Sequence, residues 1–165
     1  MDANIAESVM AATDRLRAVL DEAAIAPAAL RALACSWAES ALQARRRRLY
    51  AVDVRSEAAV AVSRQYAEGE ASRAELAKAR AMALDASSEA AQHASRVEGG
   101  GGWSASDIYH ARRATGVADA CAAVTRSAAH EAAWYASWAA QEAAGDCRLI
   151  KIQLAQVLRL AGLSE

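Results

Sequence analysis

The arrangement of apolar and polar residues predicts helix along most of the chain, because apolar positions recur three and four residues apart. In the first such segment, residues 3–24, the apolar positions are Ile5, Val9, Ala12, Leu16, Val19 and Leu20. In the second, from Pro27 to about Arg47, they are Leu30, Leu33, Ala34, Trp37, Ala41 and Leu42. We expect Pro27 to open its helix, since proline fits a first turn in which its missing N–H is not needed.

The segment from Asp53 to Gln92 carries the clearest start and stop signals. Asp53 is suited to cap one helix, and Gly69 is suited to end it in the left-handed conformation that glycine adopts without penalty. Ser72 and Glu75 then have the spacing of a capping box. These signals predict an antiparallel pair of helices joined by a tight turn. The inward positions of the second helix, which we expect to end near Val97, are Leu76, Ala79, Met82, Ala83, Ala86 and Ala90.

Four consecutive glycines, Gly99–Gly102, predict a flexible internal loop, because they favour neither neighbouring helix. Ser104 or Ser106 is then expected to cap one long helix that reaches about Ala144, with Gly116 as a point of loosening or kinking. The core candidates on this helix are Ile108, Val117, Ala120, Cys121, Val124 and Ala128.

An aromatic group, Trp134, Tyr135 and Trp138, lies near the end of this long predicted helix. Trp134 and Trp138 are one turn apart and share a face. We expect the pair to anchor the core, because alanine-rich helices offer few other large side chains to organise packing. The alternative is a hot spot at a partner interface, where tryptophan is enriched.

The last helical segment is the most hydrophobic part of the chain. Gly145–Asp146 is predicted to break the long helix and cap this segment, and Gly162 is predicted to end it. Its apolar positions are Leu149, Ile150, Ile152, Leu154, Val157, Leu158 and Leu160. We therefore expect this helix to lie centrally among the others or to form a dimer seam.

Composition strengthens the helical prediction. More than a quarter of the residues are alanine, there is 1 proline, and phenylalanine is absent. Alanine is the best helix former and proline the worst, so nearly the whole chain favours helix. The predicted fold is all-α: a single domain over residues 1–165, built as an antiparallel bundle of about six alanine-rich helices with the loop at 99–102.

Charge and cysteine content narrow the expected partners and location. The formal net charge of −1 argues against broad binding to nucleic acid or to an anionic membrane. No apolar run reaches the roughly 20 residues that a membrane-spanning helix needs, and the first residues do not resemble a signal peptide. Cys35, Cys121 and Cys147 have no paired spacing. Together these features predict a cytoplasmic protein with reduced thiols.

The sequence carries no pattern typical of a catalytic, metal or cofactor site. His130–Glu131 begins like the zinc-protease helix, but Trp134 stands where the second histidine would be. The histidines and cysteines match no standard metal-ligand spacing. We therefore expect no enzyme activity, no metal and no cofactor, and keep a thiol enzyme that uses a cysteine and a histidine as a minor alternative.

Two features are candidates for a partner-binding surface. Arg45, Arg46, Arg47 and Arg48 form the most conspicuous charge run, and the next acidic residue after them is Asp53. They suit a solvated helix end, where cations stabilise the helix dipole, or a contact for an acidic partner or for phosphates. Trp103, beside the four glycines, is a mobile aromatic residue that we expect to anchor in a pocket of a partner.

The central helices also resemble a known group of proteins. The residues concerned are Leu33–Glu39, then Asp53–Val60, then Tyr66–Glu70 and Ser72–Leu76, followed by a run of alanines four residues apart. This pattern resembles the helical immunity protein family of bacteria. It is equally similar to an alanine-rich helical domain of unknown function from planctomycetes and actinobacteria. The similarity covers mainly residues 30–92, and Gln153–Arg159 is similar to the closing helix of that domain.

The resemblance implies a non-catalytic protein that binds and blocks a toxin, and it supplies no catalytic residues. We therefore expect a protein-binding module that occludes a toxin, a nuclease or another effector. The alternative is a structural module that self-associates through its hydrophobic last helix and is carried by a phage or a plasmid.

Overall fold

The computed structural model describes residues 3–47, 50–144, 146 and 148–163, except for the side chains of residues 3–7 and 142. These residues form helices and no strands, which confirms the predicted all-α class. The helices are α1 (Ala3–Glu22), α2 (Pro27–Arg46), α3 (Val54–Glu68), α4 (Arg73–Gly99), α5 (Ala105–Ala123), α6 (Ala129–Ala144) and α7 (Leu149–Leu160).

The helix signals read from the central segment are confirmed. Pro27 opens α2. The Asp53 carboxylate accepts the backbone N–H of Arg55 and so caps α3, and Gly69 ends α3 with a φ of 79°. Ser72 and Glu75 form both bonds of the capping box that starts α4. Each signal acts within a few residues, which explains why the sequence alone was sufficient.

Side-chain contacts between neighbouring helices show that α2 to α5 run antiparallel in turn. The Glu39 carboxylate of α2 meets Arg64 of α3 at 2.8 Å. Arg55, at the start of α3, reaches Glu89 far along α4 at 2.5 Å. Arg46, at the end of α2, meets Glu57 in the first turn of α3, whereas the earlier Glu39 meets the later Arg64. Between α4 and α5, Glu98 likewise pairs with Arg112, and the earlier Ser87 bonds the later Asp119. The predicted antiparallel bundle therefore holds for these helices.

The centre of the bundle is built from α2, α5 and α6, and α1 pairs with α7 at one side. The large side chains buried between these helices include Leu16, Trp37, Val124, Ile150, Val157 and Leu158. Because α7 packs against α1 and only slightly against α6, it lies at the edge of the bundle. The central position predicted for α7 is wrong, since α2, α5 and α6 occupy the centre instead. The dimer seam stays a prediction.

The long helix predicted from Ser104 to Ala144 is wrong, because the chain breaks after Val124 and forms α5 and α6. At the break the buried Arg31 of α2 donates hydrogen bonds to the backbone carbonyls of Val124 at 2.8 Å and Ser127 at 2.9 Å. The Ser63 hydroxyl donates to the Val124 carbonyl at 2.6 Å. These donors replace the amides that would have continued the helix. They come from other helices, so local sequence gave no signal.

Gly116 does not interrupt α5, contrary to the expected loosening or kink. A Cβ at this position would lie 2.8 Å from the backbone nitrogen of Ala143 on α6. The glycine therefore allows the backbones of α5 and α6 to approach more closely than any side chain permits. Its role is in packing.

The two remaining connections differ from expectation in detail. α4 continues into Gly99, two residues beyond the predicted end, and Ser104 forms a capping box with Asp107 at the start of α5. Asp146 does not cap α7. The N-cap position belongs to Arg148, whose backbone N–H is accepted by the Asp146 carboxylate at 3.0 Å. Gly145 lies outside the described residues.

Candidate partner-binding surfaces

The arginine run predicted as a partner-binding surface is partly used inside the fold. The Arg45 Nε donates to the carbonyl of Ala51 at 2.7 Å, and its guanidinium lies 5.4 Å from the ring centroid of Tyr50. Arg46 pairs with Glu57 of α3 at 2.6 Å. Two of the four arginines therefore hold the connection between α2 and α3.

The other two members of the run are Arg47 and Arg48. Arg47 is exposed, and Arg48 lies outside the described residues. Burial lowers the pKa of the Arg45 guanidinium, which has a carbonyl and an aromatic ring as its neighbours instead of a carboxylate. A contact between this run and a partner stays a prediction, and Arg47 is the described member best placed to make it.

Trp103 is 52% exposed in the connection between α4 and α5. Its indole lies over Gly100, where an added Cβ would be 3.2 Å from Trp103 Nε1. Among the residues that the structure describes, no hydrogen bond, ion pair or ring contact joins Trp103 to the arginines of the run. The structure therefore does not bring the two predicted parts of the binding surface together through a direct contact.

An aromatic stack near the start of α5 was not anticipated. The rings of Tyr50 and His110 are 4.8 Å apart between centroids, and those of His110 and Tyr109 are 5.4 Å apart. The Arg113 guanidinium lies 4.6 Å from the Tyr109 centroid. The four-residue spacing from Tyr109 to Arg113 was a usable signal, because such residues share a helix face. The stack fastens the chain after α2 to α5.

A second surface, which we call the α4–α5–α6 groove, has the features of a binding site. It is an open cavity of about 300 Å³ between these three helices. α4 contributes Arg80 and Leu84, and the lining is completed by Asp119, Ala122, Ala123, Arg126, Tyr135, Trp138 and Ala139. The alanines of α5 are buried, whereas Trp138 is 59% exposed and Tyr135 42% exposed. Small side chains thus form the base, and large aromatic ones stand beside it.

The exposure of Trp138 and Tyr135 corrects the expectation that this aromatic group anchors the core. The buried face of α6 consists of small residues, namely Ala132, Ala133, Ala136, Ser137, Ala140 and Ala143. Trp134 is partly buried beside this core, with the Arg17 guanidinium 5.2 Å from its ring. α6 therefore packs through its alanine face and turns Trp138 to solvent. Met82, also predicted inward, is 40% exposed on α4.

The charged groups of the groove are arranged unevenly. The Arg126 guanidinium stacks 3.8 Å from the Tyr135 centroid and makes a long ion pair with Glu131 at 3.5 Å. The Asp119 carboxylate accepts a hydrogen bond from the Ser87 hydroxyl. Within the described part of the chain, Arg80 has no carboxylate in ion-pair contact. Sequence reasoning missed Arg80 and Arg126 because neither belongs to a charge run.

The two described thiols, Cys35 and Cys121, are buried. Burial raises the pKa of Cys121 to about 12, and burial likewise raises the pKa of Cys35. The thiolate is the nucleophilic form of cysteine, and burial disfavours it at both positions. Cys147 lies outside the described residues. Across the described ranges, histidine, cysteine and carboxylate side chains form no group of three suited to a metal ion.

Comparison with known proteins adds no relative: no family model, no curated protein and no solved structure matches the chain. As for membranes, no helix among the described residues has both the length and the apolar character needed to cross one. The choice of function therefore rests on the surfaces above.

Proposed function

We propose that the chain is a non-catalytic protein-binding module whose main contact surface is the α4–α5–α6 groove. The observation that carries this proposal is Trp138, a large apolar side chain held in water beside Tyr135. Tryptophan, tyrosine and arginine are the residues most enriched at binding hot spots, and the groove presents all three. A fold that packs through alanine has no need of an exposed indole at this position.

The rigidity of the surface supports the same proposal. The groove residues lie mainly on α4, α5 and α6, whose inward faces are buried, so the backbone that carries them is positioned before a partner arrives. A preorganised surface loses less conformational entropy on binding. Such a surface suits steric occlusion, in which the bundle covers an active site of its partner. The immunity or inhibitor role implied by the resemblance is a specific form of this proposal.

The first test is a pull-down from the native host with the tagged chain, followed by light scattering of the eluate. One foreign protein at fixed stoichiometry, lost with Trp138→Ala, is the expected result. If the foreign protein is instead lost with Trp103→Ala and retained with Trp138→Ala, the contact lies at the α4–α5 connection. An eluate that contains only the tagged chain would overturn the proposal.

A second candidate function is self-association through α7. Ile152, Leu160 and Leu163 are exposed on the last helix and the residues that follow it. Ile152 and Leu160 lie about two turns apart on α7, where a second copy could cover both. However, Lys151 and Arg159 are exposed beside them, and pairing two copies would bring cations together. A mass that rises with concentration and returns to the monomer value with Ile152→Glu would favour this candidate.

A further inference from the structure

The α4–α5–α6 groove has the shape of a receptor for a helix. α4 and α6 both pack against α5, and the side chains of α5 between them are the buried Ala122 and Ala123. The result is a trough with a low base and with Leu84 and Trp138 beside it. Helices that bind in grooves use apolar anchors spaced three and four residues apart, which a trough of this kind accommodates.

The size of the cavity favours side chains over a cofactor. Its volume of about 300 Å³ is at the lower limit for sites that enclose a small molecule, about 300–1,000 Å³, and it is open to solvent. A few apolar side chains of a partner would fill it, while the rest of the partner remained outside.

The charged residues of the groove indicate which charge the contacting surface of a partner should carry. Arg80 lies on α4 and Arg126 lies between α5 and α6, so cations flank the groove from two directions. Two acids lie near the groove: Asp119 accepts a hydrogen bond from the Ser87 hydroxyl, and Glu131 meets Arg126 only at 3.5 Å. Among the described residues, Arg80 makes no ion pair. Carboxylates of a partner would therefore find guanidinium groups to pair with beside the apolar base.

The same charges argue against a second copy of this chain as the occupant. The exposed apolar face of this chain that most resembles a groove-binding helix is α7, and its exposed charged residues Lys151 and Arg159 are cationic. Placing α7 in the groove would set these cations against Arg80 and Arg126. Like charges at close range weaken a complex and exclude wrong partners.

We infer that the α4–α5–α6 groove binds an amphipathic helix of a partner protein, with apolar anchors against Trp138 and Leu84 and with acidic side chains facing Arg80 and Arg126. This inference rests on the proposed function and specifies the chemistry of its partner. The aromatic side chains exclude water around the anchors, and the arginines select the charge and the orientation of the helix.

The test uses two synthetic helical peptides with the same leucine face, one flanked by glutamates and the other by lysines, each carrying a fluorophore. Fluorescence anisotropy measures their binding to the full chain at 50 mM salt and at 500 mM salt. We expect the glutamate peptide to bind at least tenfold more tightly at low salt, with a smaller ratio at high salt because ions screen exposed pairs.

Matched variants locate the binding in the groove. Trp138→Ala is expected to weaken binding of the glutamate peptide at least tenfold. Met10→Ala, which removes an exposed apolar side chain from α1, is expected to leave that affinity unchanged. The double variant Arg80→Glu with Arg126→Glu is expected to reverse the preference between the peptides. Arg15→Glu, on the exposed side of α1, serves as the charge control.

Three outcomes would overturn the inference: equal binding of the two peptides, tighter binding of the lysine peptide, or no binding of either. Unchanged affinity with Trp138→Ala would do the same. None of these decides the proposed function, because that depends on capture of a foreign protein through Trp138. If a captured partner bound the double arginine variant as tightly as the parent chain, the proposed function would stand. The acidic helix would then be excluded as the occupant of the groove.

Discussion

Two tryptophans of this protein occupy opposite environments. Trp37 on α2 is 5% exposed, and its indole N–H donates to the Gln156 side-chain oxygen at 2.6 Å, which joins α2 to α7. Trp138 on α6 is 59% exposed, and within the described structure its indole N–H has no hydrogen-bond partner. The first is part of the core, and the second is available to another molecule.

The difference shows that side-chain size does not determine burial in an alanine-rich chain. α6 packs through alanines against α2 and α5, and this contact is close because the side chains are short. α2 instead uses Trp37 to span the wider distance to α7. Trp37 is therefore buried between helices that pack through large side chains, whereas Trp138 is left outside an alanine-packed contact.

The largest expected effect separates the two tryptophans directly. Trp37→Ala is expected to lower the free energy of unfolding by about 3–5 kcal/mol, because it leaves a cavity and an unpaired glutamine. Trp138→Ala is expected to change it by less than about 0.5 kcal/mol, as for most surface substitutions. Urea denaturation monitored by circular dichroism measures both. Similar losses would mean that Trp138 supports the fold and would weaken the proposed binding role.

The next effect concerns the C-terminal end of α5, where Arg31 donates hydrogen bonds to backbone carbonyls. Arg31→Met is expected to cost about 2–3 kcal/mol, since it leaves the Val124 and Ser127 carbonyls without their charged donor. Arg47→Met, at the exposed C-terminal end of α2, is the control, and it is expected to leave the free energy of unfolding unchanged. The same denaturation measurement applies. A neutral Arg31→Met would show that water replaces the guanidinium.

A smaller effect tests the close approach of α5 and α6. Gly116→Ala is expected to destabilise the protein by about 1–2 kcal/mol, because overpacking against the Ala143 backbone exceeds the gain in helix propensity. Gly101→Ala has nothing within 4 Å of its added Cβ and serves as the control. A Gly116→Ala variant more stable than the parent would mean that the two helices separate at little cost.

The smallest effect is the acid sensitivity of the exposed helix ends. Hydrogen bonds from Arg55 lower the pKa of Asp53, and hydrogen bonds from Ser104 lower the pKa of Asp107. A carboxyl group whose pKa is lower in the folded than in the unfolded protein stabilises the fold above the unfolded pKa of about 4. This contribution is lost as pH falls below that pKa and through the lower pKa of the folded state. The melting temperature should therefore drop less steeply between pH 5 and pH 2 in Asp53→Asn with Asp107→Asn. An unchanged slope would assign the acid sensitivity to other groups.

The sequence predicted those parts of the fold that depend on neighbouring residues. The caps at Asp53 and Ser72 and the stop at Gly69 each act within one turn, so their chemistry is visible locally. The break after Val124 was missed because its donors, Arg31 and Ser63, belong to other helices. No glycine or proline marks it.

The groove was missed for a different reason. Alanine is neither strongly apolar nor polar, so hydrophobic periodicity does not determine which face of α6 is buried. Trp134 and Trp138 therefore dominated the apolar pattern of α6, and they indicated the wrong face of that helix as the buried one. Arg80 and Arg126 become neighbours of Trp138 only through the packing of α4 and α6 on α5.

The hydrogen bonds of Arg31 at the end of α5 also bear on the order of folding. They join residues 93 and 96 positions apart in the chain, so the corner between α5 and α6 is completed only after α2 has docked. Until then, nothing opposes the local preference for one continuous helix. A fragment that begins at Gly99 would lack both Arg31 and Ser63. In that fragment, residues 104–144 should favour the single long helix that their own sequence specifies.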